Sequence, residues 1–233
     1  VFAVREFGPG LEGAAMTPYY QDDWATIYHG DCREILPTLP GVSLVQTDPP
    51  YGVDFDYPSY DDTYENLVEL AQAVFPLLRA TRICISPGMS GYRAWPRAKW
   101  ICSLSWDTTG SNGYCGFNQW FPVLFYGEDV AGKGKVNGLL QSDSFRVTGA
   151  GSVGFHRSEA EKLHVCPKPL NLWKWIMARF SEAGDKVLDP FLGSGTTLLA
   201  AKTLNRKAIG IEIEEKYCEI AANRMSQEVL DFT

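Results

Sequence analysis

Val187-Leu188-Asp189-Pro190-Phe191-Leu192-Gly193-Ser194-Gly195-Thr196-Thr197 is the stretch on which the fold turns. A short apolar run halts at an acid and a proline, two glycines follow, and Thr196 opens a helical pattern that continues to residue 204. Strand, glycine loop and helix start, in that order, describe the carboxyl end of a parallel strand. Open α/β sheets bind ligands there, and glycine lets the backbone come close to them. Residues 208–213 read as the next strand and 215–225 as a final helix. Glu212 therefore stands at a strand end, where a carboxylate can accept hydrogen bonds from both hydroxyls of a ribose. The glycine loop alone could equally be a plain turn; the acid one βαβ unit later points to a nucleoside-type cofactor. No Lys follows the glycines, which disfavours a Walker loop. The third glycine of a dinucleotide fingerprint is replaced by Leu198.

Upstream, the same alternation repeats. Residues 26–29 form a short strand ending in Gly30-Asp31, and residues 42–47 form an apolar, β-branched strand ending at Asp48-Pro49-Pro50. Asp61 or Asp62 is the expected cap of a helix carrying Leu67, Leu70, Ala71, Val74 and Leu78, with Pro76 shortening its last turn. Residues 82–85 and 123–126 read as strands, 170–180 as a helix and 186–188 as the strand before the glycine loop. The predicted class is α/β, a mostly parallel sheet with helices on both faces. Residues 127–154 hold seven of the chain's 22 glycines and show no clear period, marking an excursion from the core.

Asp48-Pro49-Pro50-Tyr51 follows a buried strand directly. Two prolines remove two N–H donors, so the segment presents mainly acceptors: the Asp48 carboxylate and backbone carbonyls. Such acceptors suit a substrate amino group. An adjacent aromatic can stack on a flat base, worth about 1–3 kcal/mol. A strand-terminating turn with a partly buried Tyr accounts for the tetrapeptide equally well.

The 233 residues allow one large α/β domain with an insertion, or at most two small domains. No apolar run reaches the roughly 20 residues that span a bilayer, so a membrane partner is not expected. The six cysteines lack zinc or disulfide spacing and read as buried thiols of a reducing, cytoplasmic setting, with no metal site. Residues 1–15 read as a leader or expression remnant, with Met16 as a natural start. The net charge of −7 runs against a nucleic-acid partner, but local charge does not. Arg79, Arg82, Arg93, Arg97 and Lys99 occur without an acid among them, interleaved with Tyr92, Trp95 and Trp100. Lys133, Lys135, Arg146 and Arg157 face only Asp143.

Together these residues resemble the amino-group DNA methyltransferases. Asp48-Pro49-Pro50-Tyr51 matches that family's catalytic DPPY motif, and residues 189–195 match its cofactor motif. Residues 163–170 resemble its HP-x-x-KP segment, with Val165 where proline is common, and Gly30-Asp31-Cys32 resembles its adenine-binding strand end. Catalytic motif first and cofactor motif last is the permuted order of the family's β group. The resemblance implies a Rossmann-like methyltransferase fold with a catalytic half over 16–126 and a cofactor half over 161–233. Residues 127–160 fall where the β group carries its target recognition region.

S-adenosylmethionine is the implied cofactor, bound through Asp31, Cys32, Lys168, Asp189, Pro190, Phe191, Gly193, Ser194, Gly195, Thr196 and Glu212. Asp48, Pro49, Pro50 and Tyr51 are the implied catalytic residues. Arg93, Arg97, Lys99, Lys133, Lys135, Arg146 and Arg157 are the candidate contacts to double-stranded DNA. A homodimer and a separately encoded restriction endonuclease are the other partners such an enzyme admits. The implied reaction is direct methyl transfer to a flipped-out base, adenine N6 ahead of cytosine N4 because an acid opens the catalytic motif. A C5-cytosine enzyme is disfavoured by the lack of a Pro-Cys nucleophile. Methyltransferases of RNA, protein or small molecules usually place the cofactor loop first. A silent DNA-binding relative would not need Asp48, Pro49, Tyr51, Asp189 and Glu212 intact.

Overall fold

A computed structural model of the chain describes residues 16–106, 112–113, 116–117, 120–128, 135–136, 139–140, 143–147 and 168–226. Its strands are β1 (Tyr20–Gln21), β2 (Ala25–His29), β3 (Val42–Thr47), β4 (Asp56–Tyr57), β5 (Tyr60–Asp61), β6 (Ala80–Ile85), β7 (Trp100–Trp106), β8 (Asn112–Gly113), β9 (Gly116–Phe117), β10 (Trp120–Gly127), β11 (Lys135–Val136), β12 (Leu139–Leu140), β13 (Ser144–Val147), β14 (Lys186–Asp189) and β15 (Lys207–Glu212). The helices are α1 (Cys32–Ile35), α2 (Tyr64–Val74), α3 (Gly88–Gly91), α4 (Leu170–Phe180), α5 (Thr196–Thr203) and α6 (Glu215–Ser226).

Nine strands form one sheet in the order β1-β2-β15-β14-β3-β6-β10-β7-β13. The run from β2 to β6 is parallel, β10 is antiparallel to both its neighbours, and β13 is parallel to β7. Strands covered on both faces carry continuous apolar runs rather than alternation. Accordingly Leu44 faces one core with Trp173, Ile176 and Met177 of α4 and Leu198 of α5. Val45 faces the other with Ile35 of α1 and Leu70, Ala71 and Val74 of α2. The Rossmann-like doubly wound arrangement is the one expected, with an antiparallel extension at one side.

Register sets the site. Leu188 pairs with Val45, so Asp189 and Asp48 emerge at neighbouring strand ends. Glu212 pairs with His29, which brings it beside Gly30 and Asp31. The carboxyl ends of β3, β14, β15 and β2 thus line up along one edge, in the place where parallel sheets bind ligands.

Three local expectations change. Thr63, not Asp61 or Asp62, caps α2: its hydroxyl accepts from the Asn66 N–H at 3.2 Å. Asp61 is drawn into β5 and the Asp62 carboxylate turns back to the loop after the catalytic motif. Pro76 does end α2, in a 3-10 turn over Phe75–Leu77. The glycine-rich segment is not wholly an excursion, because β13 within it joins the main sheet beside β7. That pairing covers backbone groups that an edge strand leaves open. The strand β7 was not among those expected from the sequence. Of the six cysteines, Cys32, Cys84, Cys102 and Cys218 are buried free thiols, while Cys115 and Cys166 lie outside the described residues. Among the described residues no helix is long and apolar enough to cross a membrane, and no cluster of His, Cys, Asp and Glu could hold a metal.

Candidate active site

The four strand ends surround a cavity of about 730 Å³. Asp31, Cys32, Asp48, Pro49, Pro50, Tyr51, Lys168, Asp189, Pro190, Phe191, Gly193, Ser194, Thr196 and Glu212 all line it. Residues far apart in sequence therefore converge on one hollow, of the size that small-molecule sites usually have. Gly195 does not line it. With φ at +84° it turns the chain into α5, and a Cβ there would lie 2.9 Å from that of Ala221 on α6. It brings the helix start close rather than touching a ligand.

Asp48 is half-buried at the end of β3. The Tyr51 hydroxyl donates to its Oδ1 at 2.7 Å, and Lys168 Nζ forms an ion pair with Oδ2. Lys168 Nζ also lies 5.1 Å from the centroid of the Tyr51 ring. That ring packs on α3: a Cβ at Gly88, where φ is +67°, would sit 2.8 Å from it. The Ser90 hydroxyl fixes the Tyr51 carbonyl at 3.1 Å. Neither Gly88 nor Ser90 is among the site residues expected from the sequence.

At the end of β15, Glu212 is buried and holds the glycine loop. Its Oε2 accepts from the Gly193 N–H at 2.7 Å and its Oε1 from the Glu214 N–H at 2.9 Å. Burial raises its pKa, and these two N–H groups oppose the rise. Two bonds leave lone pairs for a ligand. Asp31 caps α1 through the Arg33 N–H at 2.8 Å and pairs with the Arg33 guanidinium, which holds its carboxyl below the usual range. Burial pushes the neighbouring Cys32 thiol up to about 12, so it is a neutral wall rather than a nucleophile. Asp189 is engaged by the fold itself. Its Oδ1 accepts from Thr47 Oγ1 at 2.6 Å and from the Phe191 N–H at 3.1 Å, and its Oδ2 accepts from Thr197 Oγ1.

The loop after the catalytic motif supplies the outer wall. Asp62, 1% exposed, accepts from the N–H groups of Gly52, Val53 and Phe55 at 2.7, 3.2 and 3.3 Å. It presents Phe55, Tyr57 and Tyr60, whose rings contact in series at 4.7 and 6.4 Å and face the cavity.

The basic stretch divides. Arg79 donates to the carbonyls of Pro37 and Leu39, and Arg82 is buried against the Phe180 carbonyl, so both belong to the framework. Arg93, Arg97 and Lys99 are exposed, and so is Arg146 on β13; none lines the cavity. Lys133 and Arg157 lie outside the described residues, as does the side chain of Lys135.

A doubly wound sheet with acids at adjacent strand ends, facing one hollow, defines a Rossmann-like fold with a small-molecule site. Comparison with known proteins agrees. A DNA methylase family model of the N6/N4 type matches residues 134–223. The chain is similar to the type II methyltransferase M.HinfI of Haemophilus influenzae, 28% identical over 87% of this chain and 68% of that protein. It is similar to M.ScaI of Streptomyces caespitosus, 26% identical over 94% of this chain and 86% of the other. A 71-residue segment is 51% identical to M.HindIII of Haemophilus influenzae, covering 30% of this chain and 23% of that one. Among solved structures, the M1.HpyAVI-SAM complex shares the fold with a TM-score of 0.62 at 23% identity, covering 87% of this chain and 100% of that one. The cytosine-N4-specific PvuII DNA methyltransferase does so with a TM-score of 0.64 at 17% identity, over 92% and 90%. The chain is thus similar, over part or most of its length, to DNA methyltransferases.

Proposed function

We propose that the chain methylates the N6 amino group of an adenine flipped out of double-stranded DNA, with S-adenosylmethionine as methyl donor. The observation that carries this reading is that Asp48 and Tyr51 face the same cavity as Glu212 and the glycine loop. The residues fit that cofactor. Asp31 and Glu212 are acceptors for the amino and hydroxyl groups of an adenosine, Gly193 leaves backbone exposed beside them, and residues 189–197 include no cation to hold a phosphate. When bound, S-adenosylmethionine supplies an electrophilic methyl group on a positively charged sulfur.

The chain's own groups do the rest. Asp48 and the Pro49 carbonyl accept the hydrogens of the target amino group, which localises a nitrogen lone pair otherwise delocalised into the ring. Tyr51 stacks on the extruded base and offsets part of the few kcal/mol that extrusion costs. Holding the two reactants in line supplies much of the acceleration. The carboxylate of Asp48 stands ready to take the proton that the methylated nitrogen sheds. The family resemblance favours adenine N6 over cytosine N4, since an acid like Asp48 usually opens the motif in adenine enzymes and Ser in cytosine-N4 ones.

The motif order supports placement in the β group, with residues 127–160 as the target recognition region. Arg93, Arg97, Lys99 and Arg146, with Lys133, Lys135 and Arg157, are the proposed phosphate contacts. Incubating the protein with labelled cofactor and duplex DNA, then digesting to nucleosides, tests the reading. N6-methyladenine is expected. N4-methylcytosine in its place would change the target base and keep the site, and no transfer to any duplex would overturn the assignment.

A further inference from the structure

The groups proposed to receive the base are both engaged by one ammonium. Lys168 Nζ is ion-paired with Asp48 Oδ2 and lies over the Tyr51 ring, while the Tyr51 hydroxyl takes Asp48 Oδ1. An amino group approaching Asp48 and a ring approaching Tyr51 would compete with Lys168 on both surfaces. The side chains of Lys168 and Asp48 are 18% and 22% exposed, so the pair is largely shielded from water and its charges are felt. Lys168 stands just before α4, whose first turn begins after Pro169, on a flexible four-carbon stem.

Charge decides what can move it. A sulfonium brought up to Asp48 places a second positive charge beside the Lys168 ammonium, and like charges at such range repel. The same cofactor carries one carboxylate, at its amino-acid end, which is the natural alternative partner for a displaced ammonium. Resting on the methyltransferase reading above, we infer that Lys168 is a positioning residue that exchanges Asp48 for the cofactor carboxylate. Cofactor binding thereby uncovers Asp48 and the Tyr51 ring for the base. The order of events follows: cofactor first, base second.

The test is calorimetric and needs neither DNA nor turnover. The probes are S-adenosylhomocysteine and 5′-methylthioadenosine, which shares the nucleoside and sulfur but lacks the amino-acid end. Lys168→Met should weaken S-adenosylhomocysteine by roughly tenfold or more, as expected for one charge-assisted bond, and leave methylthioadenosine unchanged. Asp48→Asn should strengthen S-adenosylhomocysteine by about fivefold, because Lys168 no longer has to leave a carboxylate. In the Lys168→Met background Asp48→Asn should have no effect on either probe. Retained methylthioadenosine binding shows that a variant is folded; if Lys168→Met fails this check, Lys168→Gln replaces it. Equal loss of both probes in the Lys168 variant, or an Asp48→Asn effect that persists without Lys168, would overturn the exchange and spare the proposed function. Wild-type protein that binds neither probe would overturn both.

Discussion

Thr47 and Asp189 are joined side chain to side chain: the Thr47 hydroxyl donates to Asp189 Oδ1 at 2.6 Å. The residue before Asp48 is thereby tied to the first residue of the glycine motif. The chain of bonds runs on. Thr197 donates to Asp189 Oδ2, and Trp173 Nε1 donates to Thr197 Oγ1 at 2.8 Å. All four side chains are buried. Elements β3, β14, α5 and α4 are linked through one carboxyl group, so the two halves of the site are held at a fixed separation.

That burial makes a prediction about pH. Burial lifts Asp189 from 3.8 to about 6, so the folded protein keeps a proton that the unfolded chain has released. Its contribution to stability is full below about pH 4 and is lost as pH rises through about 6. The shift corresponds to about 3 kcal/mol. The stability of wild type relative to Asp189→Asn, from urea melts, should fall by about that amount between about pH 4 and 7. A difference that stays level across this range would contradict the buried carboxyl.

Asp62→Ala removes the acceptor for three loop N–H groups. The three N–H groups are only part-buried, so water replaces some of the lost bonds and a stability loss of roughly 2–4 kcal/mol is expected. Amide exchange at Gly52, Val53 and Phe55 should accelerate, and methyl transfer should fall while cofactor affinity changes less. Unaltered exchange at those three amides would show that Asp62 does not hold the loop.

How far the sequence could reach is visible in these same residues. The strands of β3, β14 and β15 were legible because each apolar run stops at or beside an acid. The helix α4 was legible because Leu172, Trp173, Ile176 and Met177 keep a helical period. Asp62 was misread as a cap because an acid before a helix usually is one; its real partners lie seven to ten residues back, in a loop whose path only the tertiary structure fixes. Trp100–Trp106 alternates large residues with Cys and Ser, a weak strand signal overridden by the stronger turn signals around it. Lys168 was legible as a site residue through its motif. Its pairing with Asp48, 120 residues away, depended on sheet register.

Glu212→Ala should weaken S-adenosylmethionine by about 10- to 150-fold, the equivalent of about 1.5–3 kcal/mol for bonds to a charged group. Part of that loss would come through the glycine loop, because Gly193 loses its acceptor. Asp31→Ala should weaken it as well. Calorimetry showing unchanged affinity in both variants would remove the pocket assignment.

Neutralising Arg93, Arg97 and Lys99 together should lower duplex affinity and flatten its salt dependence, the logarithmic slope shrinking by about 0.9 for each phosphate no longer neutralised. Cofactor affinity should not change, because none of the three lines the cavity. An unaltered salt slope in filter binding would place the DNA surface elsewhere, with Arg146 the next exposed cation to replace.

The central claim is that the Asp48 carboxylate accepts the target amino group, and single-turnover methyl transfer to duplex DNA by Asp48→Ala tests it most directly. Cofactor affinity is measured on the same preparation. The account predicts a variant that is folded and binds S-adenosylmethionine yet transfers no measurable methyl group, beside wild type that yields N6-methyladenine. Transfer by the variant at a rate near that of wild type would contradict it.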